Sequence, residues 1–155
     1  MSELLQLGDF DMLPHFVALL TAYLLALPIG WNREKEERSA GLRTFPLVAV
    51  ATCGFIQASE GLVHNSPEAM ARIIEGLITG MGFIGGGAIL KVKESVRGTA
   101  TAASLWVTGA IGISVGVGRI DVALMLTITA FVTLTLLSPL KRVVDSEPEE
   151  PRANE

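Results

Sequence analysis

The chain has 155 residues, of which 50% are hydrophobic and only 18% are charged, and its formal net charge is −4. Soluble proteins carry about 25% charged residues, so this balance argues against a soluble globule and against a disordered chain. One Cys and two His are too few for a disulfide or zinc scaffold, and no basic run with interleaved aromatic residues indicates a nucleic-acid partner.

Five long segments carry almost no charge. They are residues 13–31, 44–62, 71–90, 99–118 and 121–140. As an α-helix, a segment of about 20 apolar residues crosses about 30 Å of hydrocarbon. Five of them in one short chain leave too little polar surface to cover a soluble globule. The sequence therefore predicts an all-α, polytopic bundle of five transmembrane helices in a lipid bilayer.

The segments outside these spans predict the nature of the two termini and the start of the third helix. Residues 1–12 contain no Lys or Arg and do not resemble a signal peptide, so we expect a short extracytoplasmic N-terminus before a membrane domain over residues 13–140. Ser66, Pro67 and Glu68 have the pattern of an N-cap, an N1 proline and a first-turn acid, which predicts that the third helix starts near residue 67. The acidic, proline-containing segment 141–155 predicts a disordered cytoplasmic tail.

The basic residues predict the orientation of the bundle. All but two of the 12 Lys and Arg lie in segments 32–43, 91–98 and 141–155, which alternate correctly for five spans. Because loops rich in Lys and Arg stay on the cytoplasmic side, we expect the N-terminus outside and the C-terminus inside.

Glycines spaced four apart are concentrated in the third and fourth spans. The pairs are Gly76 and Gly80, Gly82 and Gly86, and Gly112 and Gly116. Small residues at this spacing let two helix backbones approach closely in a bilayer. The pattern predicts packing of the third helix on the fourth. The alternative is that one of these faces forms a homodimer.

One carboxylate lies well inside a span. Glu75 follows Arg72 by three residues, so the two side chains share a helix face. We expect an ion pair between them near the outer edge of the membrane. The alternative is a functional site, because charged groups inside a membrane often mark one.

The inner ends of the second and fourth helices form a candidate binding site. Arg43 and Thr44 stand at one start, and Arg97 and Thr99 at the other. Helix N-termini carry a positive dipole end and unpaired N–H groups, so this face is suited to an anion, a lipid headgroup or a carboxylate of a partner. The alternative is plain positive-inside anchoring with ion pairs to nearby glutamates, among them Glu34.

No catalytic pair or metal cluster is evident. The GxGxxG match at residues 80–85 lies inside an apolar span, without the βαβ unit that a dinucleotide cofactor site needs, so an enzyme is not predicted.

Three segments together resemble the MgtC/SapB family of bacterial inner-membrane proteins. They are GWNREKEERSAGLRTFPLVA (30–49), GLITGMGFIGGGAILK (76–91) and VRGTATAASLWVTGAIGISVGVG (96–118). The resemblance implies a five-helix protein linked to growth in low magnesium and to virulence, in a form lacking the soluble C-terminal domain of many members.

The resemblance also marks individual residues, and it adds Arg33 and Glu34 to the inner-face candidate site. The positions that match the family motifs are Arg33, Glu34, Gly41, Arg43, Thr44, Gly82, Gly85, Gly87, Arg97, Gly98, Thr101, Ala102, Ala103 and Trp106. The chain departs from the motif at Asn32, where family sequences often have Glu.

Two functions remain open at this point. The first is a non-enzymatic regulator that binds another membrane protein or senses ions, with a second copy of the chain as the alternative partner. The second is a transporter or channel for Mg²⁺ or another ion. Mg²⁺ prefers several oxygen ligands, which Glu75 beside Arg72 does not supply in a monomer, although an oligomer would supply a ring of Glu75. We therefore expect the regulator.

Overall fold

The computed structural model describes residues 12–35, 40–61, 63, 66–92 and 95–144. Within them the chain forms five α-helices and one β-hairpin. The helices are α1 (Met12–Lys35), α2 (Thr44–Glu60), α3 (Pro67–Gly87), α4 (Thr99–Gly116) and α5 (Ile120–Val144), and the strands are β1 (Leu90–Val92) and β2 (Ser95–Arg97). The predicted all-α class with five helices is confirmed for this part of the chain.

The start of α3 follows the local sequence signals. Ser66 is the N-cap, and its Oγ accepts a hydrogen bond from the backbone N–H of Ala69 at 3.3 Å. Pro67 occupies the first helical position, where the missing N–H costs nothing. The predicted start near residue 67 is confirmed, so α3 begins before residue 71, the predicted first residue of its span.

Other helix ends differ from the predicted spans. The first helix continues beyond residue 31 to Lys35, which takes it into the predicted basic loop. The last helix extends to Val144, into the segment predicted to be a disordered tail. Residues 1–11 and 145–155, on which the predictions for the two termini rest, lie outside the described residues.

A short hairpin joins α3 to α4, where a loop was predicted. Leu90 pairs with Arg97, and Lys91 pairs with Val96, in antiparallel register. Gly98 follows with φ +90°, a conformation that L-residues rarely adopt. A Cβ at this position would also collide with the carbonyl oxygen of Ala88. The glycine at position 98 therefore allows the start of α4 to lie close to the end of α3.

The close contacts of α2 define the directions of its neighbours. Gly30 of α1 lies against Leu42 and Phe45, whereas Gly54 faces Leu19, so α1 and α2 run antiparallel. On the other side, α4 runs parallel to α2. Gly112 of α4 lies against Ala49 and Thr52, and Gly116 lies against Cys53 and Ile56.

The third helix runs antiparallel to α4. A Cβ at Gly109 would meet Met81, and one at Gly85 would meet Trp106 at 3.5 Å. On the opposite side of the bundle, the Thr127 hydroxyl of α5 donates to the carbonyl oxygen of Leu25 in α1 at 3.3 Å. The ends of α1 and α3 and the beginnings of α2 and α4 therefore lie together, and we call this the basic end.

The centre of the bundle is α4, which contacts all four other helices. Ten of its residues are buried, more than in any other helix for which buried residues are given. The hydrophobic core around it is formed by Ala22, Ala26, Ile29, Ala40, Phe45, Ala49, Cys53, Leu105, Ile111, Val115 and Ala123. Small side chains dominate this set, which allows the close backbone approach typical of membrane helices.

Large apolar side chains cover the outside of the bundle. On α5, Met125 is 64% exposed and Leu136 is 66% exposed. In the part of the chain that the structure describes, three helices are long and apolar enough to cross a membrane, namely α1, α4 and the part of α5 from residue 120 to 137. A surface of exposed large apolar side chains is unfavourable in water and suited to hydrocarbon, so this is a membrane protein.

Candidate functional site

The basic end brings the predicted inner-face residues to one side of the bundle. Arg33 lies in the last turn of α1, Arg43 directly precedes α2, and Arg97 ends β2 just before α4. Arg43 and Arg97 are exposed, but Arg33 is only 3% exposed. The three arginines therefore divide into one buried guanidinium and two that face outward.

The two helix beginnings at this end are not level. Since Gly112 packs against Ala49 and Thr52, a longer part of α4 than of α2 precedes this contact. At about 1.5 Å per residue, α4 extends about 10 Å further at this end. Thr44 and Thr99 consequently lie at different depths. The donors that would bind an anion at this end therefore lie at two heights along the bundle axis and not in one plane.

Arg33 is held at the end of α1 by its neighbour in sequence. Its Nη2 donates to the Oδ1 atom of Asn32 at 2.9 Å. A cation in the last turn of a helix is also favoured by the negative end of the helix dipole. Asn32, where the chain departs from the family motif, thus supplies the acceptor oxygen that a carboxylate would offer, without its charge.

Glu34 connects α1 to the segment before α2. Its Oε2 accepts a hydrogen bond from the backbone N–H of Leu42 at 3.0 Å. Gly41 packs directly against this carboxylate, so a side chain at position 41 would displace it. The carbonyl oxygen of Gly41 in turn accepts from the N–H groups of Thr44 (3.0 Å) and Phe45 (3.2 Å). Glu34 therefore orders the start of α2 through the backbone.

Neither helix at this end is capped by a side chain. Arg43 is the N-cap residue of α2, and Gly98 is that of α4, and neither position has a side-chain capping bond. Thr99 is exposed, and Thr44 is half-buried. The uncapped N-terminus of α2 is therefore flanked in sequence by Arg43 and Thr44, and that of α4 by Arg97 and Thr99.

The glycine pairs are only partly explained by packing of α3 on α4. Gly82 and Gly85 face Trp106 of α4 as expected, but Gly76, Gly80 and Gly86 have open space where a Cβ would stand. The prediction that these three glycines pack against the fourth helix is wrong. On α4, Gly112 and Gly116 pack against α2, because α4 turns that face towards the parallel helix.

The predicted ion pair between Arg72 and Glu75 does not form in the monomer. Both side chains are exposed, and no contact within 4.0 Å joins them. In the described residues an ion pair of this kind forms instead at the start of α5, where Arg119 and Asp121 lie 3.0 Å apart. The hydrogen bond from Arg119 to Asp121 raises the pKa of Arg119.

Sequence reasoning did not single out several positions that shape the site. The local sequence gives no signal for the bond between Arg33 and Asn32. Gly109, whose Cβ would collide with the Met81 sulfur, lies outside the glycine pairs spaced four apart. Gly41 and Gly98 were marked by resemblance alone, and their structural roles follow from contacts with Glu34 and Ala88. Within the described residues, no group of three His, Cys, Asp or Glu side chains is arranged to hold a metal ion.

Comparison with known proteins places these features in a family. The model of the MgtC family matches residues 19–143. Protein MgtC of Salmonella typhimurium (strain LT2) is 37% identical over 137 residues, which cover 88% of this chain and 58% of the relative. Protein MgtC of Brucella abortus (strain 2308) is 38% identical over 134 residues, which cover 86% and 56%. No solved structure matches significantly.

The chain thus spans somewhat more than half the length of the curated relatives that it matches. The matched residues include α2, α3, α4 and the hairpin in full, α1 from residue 19 and α5 to residue 143, and they contain the basic end with its three arginines. On the extent of this match, the chain belongs to the MgtC family.

Proposed function

We propose that this protein is a multi-pass protein of the bacterial inner membrane that acts in adaptation to low magnesium as a non-enzymatic regulator of another membrane complex. The magnesium link rests on family membership. The regulatory role rests on how the interior of the bundle is filled. Transport of Mg²⁺ or another ion by an oligomer is the alternative.

Five membrane crossings with the N-terminus outside form part of this proposal. The directions of the first four helices favour alternating crossings, because α1 and α3 run towards the basic end whereas α2 and α4 run away from it. The basic end carries Arg33, Lys35, Arg43, Lys91 and Arg97, which suits the cytoplasmic side. Thiol labelling of Cys residues introduced at Ser2 and Asn154 tests this orientation, and labelling of both from the same side would contradict it.

The buried hydroxyl groups provide the observation that favours a regulator. Ser104 and Thr108 donate to carbonyl oxygens one turn earlier in α4, at 2.6 and 2.8 Å. Thr52 donates to carbonyl oxygens of α2 and also to that of Gly109 at 3.2 Å. These polar groups are satisfied by the backbone, as in packed membrane helices, and they do not form a row of oxygen ligands for a hydrated cation.

The basic end is the surface through which we expect regulation to act. Arg43 and Arg97 are exposed cations beside the starts of α2 and α4. A guanidinium binds a carboxylate or phosphate through two parallel hydrogen bonds, and helix N-termini add backbone donors. An anionic group on a partner protein or a lipid headgroup therefore fits this surface.

Two measurements on one protein test the proposed function. Purified protein in liposomes is assayed for Mg²⁺ entry with a fluorescent indicator, and the same gene is assayed for growth of a null strain in low magnesium. We expect growth to be restored and Mg²⁺ entry to equal that of protein-free liposomes. Entry well above that of protein-free liposomes would establish the transporter instead.

A further inference from the structure

The outward face of α3 carries charged residues and glycines, whereas large apolar side chains cover other outer surfaces of the bundle. Its opposite face packs on α4 through Met81 and Gly85, the buried residues of this helix. The outward face covers less than half of the helix circumference, and all its residues are exposed. They are Arg72, Glu75, Gly76, Thr79, Gly80, Phe83, Gly86 and Gly87.

This face is poorly suited to contact with lipid chains. Gly76, Gly80, Gly86 and Gly87 have open space around them, so they expose backbone rather than aliphatic side chains. Glu75 lies about 12 Å along the helix from Pro67, at about 1.5 Å per residue, and no ion pair with another described residue neutralises it. Charged groups at membrane depth usually face protein or water and not lipid.

We propose that the outward face of α3 is the interface of a homodimer, in which α3 packs on α3 of a second copy across Gly76 and Gly80. This inference rests on the membrane placement in the proposed function. Glycines four apart let the two backbones cross closely. Phe83, 86% exposed in the monomer, is then covered by the second copy.

The charges on this face identify a second copy as the occupant. Two copies in one membrane share their orientation, so a two-fold axis along the membrane normal brings two parallel α3 helices together. Arg72 and Glu75 are one turn apart, about 4.5 Å in height, which is within reach of an arginine side chain. Each Arg72 then pairs with the partner subunit's Glu75, and the face is complementary to itself.

Cysteine crosslinking in liposomes tests the interface. The unmodified chain has one cysteine, Cys53, which is buried and serves as the background control. We expect Thr79→Cys to form dimers with a short bismaleimide. Ile128→Cys, on the exposed surface of α5, should not. Equal crosslinking of the two variants, or none for Thr79→Cys, would overturn the proposal and leave another membrane protein or lipid as the occupant.

Charge reversal tests the pairing itself. Arg72→Glu and Glu75→Arg should each weaken dimerisation at least about tenfold, since either change places like charges across the interface. The double variant should restore it, because reversal of both charges recreates the same pairs. Failure of the double variant to recover would rule out the paired arrangement.

A steric variant completes the test without disturbing the monomer. Gly80→Ile adds bulk where the monomer has open space, so the fold should persist while the dimer is lost. Dimer fraction is measured by energy transfer between labelled copies in liposomes. Because this assay uses neither growth nor Mg²⁺ entry, failure of the dimer proposal is distinguishable from failure of the proposed function.

Discussion

The third and fourth helices carry the same glycine spacing and use it in opposite ways. On α4, Gly112 and Gly116 are buried against the backbone and side chains of α2. On α3, Gly76 and Gly80 face open space on the outside of the bundle. A pair of glycines four residues apart therefore indicates that a helix can be approached closely, and it does not indicate by what.

The arginines of the basic end show the same contrast between engaged and open side chains. Arg33 is buried and bonded to Asn32, whereas Arg43 and Arg97 are exposed. All three occur in a positive-inside pattern and are equivalent in a count of charges. Positions that are engaged in the fold should respond through stability, and open positions should respond through function or assembly.

The largest effect is expected at Gly112. A Cβ there would collide with the Thr52 hydroxyl and the Ala49 carbonyl oxygen, and would lie 2.9 Å from the Ala49 carbonyl carbon. Overpacking costs about 1–3 kcal/mol, and Gly112→Ala should reach the upper part of that range because backbone atoms cannot move aside. SDS unfolding in mixed micelles measures the loss. A change below about 0.5 kcal/mol would contradict the close contact of α2 and α4.

The second effect separates guanidinium geometry from charge at the open positions. Lysine keeps the positive charge of Arg43 and Arg97 but cannot form the planar, two-pronged hydrogen bonds of arginine. We expect Arg43→Lys and Arg97→Lys to fold and insert normally but to fail in restoring growth of a null strain in low magnesium. Normal growth with both variants would reduce this surface to positive-inside anchoring.

A smaller effect is expected at Glu34, an engaged residue of the basic end. Glu34→Ala removes the acceptor for the Leu42 N–H and should destabilise the protein by about 1 kcal/mol, a low value for a charged hydrogen bond because the side chain is exposed. Glu34→Gln is the matched control, since its amide oxygen can still accept this bond. Unfolding midpoints that fall equally for both variants would show that charge, not the hydrogen bond, matters here.

The smallest effect, with the opposite sign, is expected at Gly80. Nothing lies within 4 Å of a Cβ at this position, and alanine is favoured over glycine in a helix by about 0.5–1 kcal/mol. Gly80→Ala should therefore leave the free energy of unfolding unchanged or raise it by that amount. A clear loss of stability in the monomer would mean that Gly80 is packed, which would remove the contrast with Gly112.

Much of the fold could be predicted because its signals are local. The long uncharged segments indicated five helices, and Ser66 with Pro67 indicated the start of α3, since hydrophobic runs and N-caps depend on neighbouring residues. The hairpin at 90–97 was missed because its three-residue strands are too short to show an alternating pattern. Arg43 and Arg97 were expected at one end from the alternation of spans, but the stagger between their helices was not.

By itself, the sequence determined that the chain is apolar, helical and a member of the MgtC family, because composition, helix length and motif order are properties of the chain alone. Only the tertiary structure decided which faces are covered. In the folded chain Gly112 packs against α2, the Glu34 carboxylate accepts from the Leu42 N–H, and Met81 packs against Gly109. On α3, by contrast, Gly76, Gly80, Arg72 and Glu75 are exposed. The physical reason is that two faces with the same small residues are equivalent until helix crossing angles and loop lengths select which one meets a neighbour, and those selections depend on residues far apart in sequence.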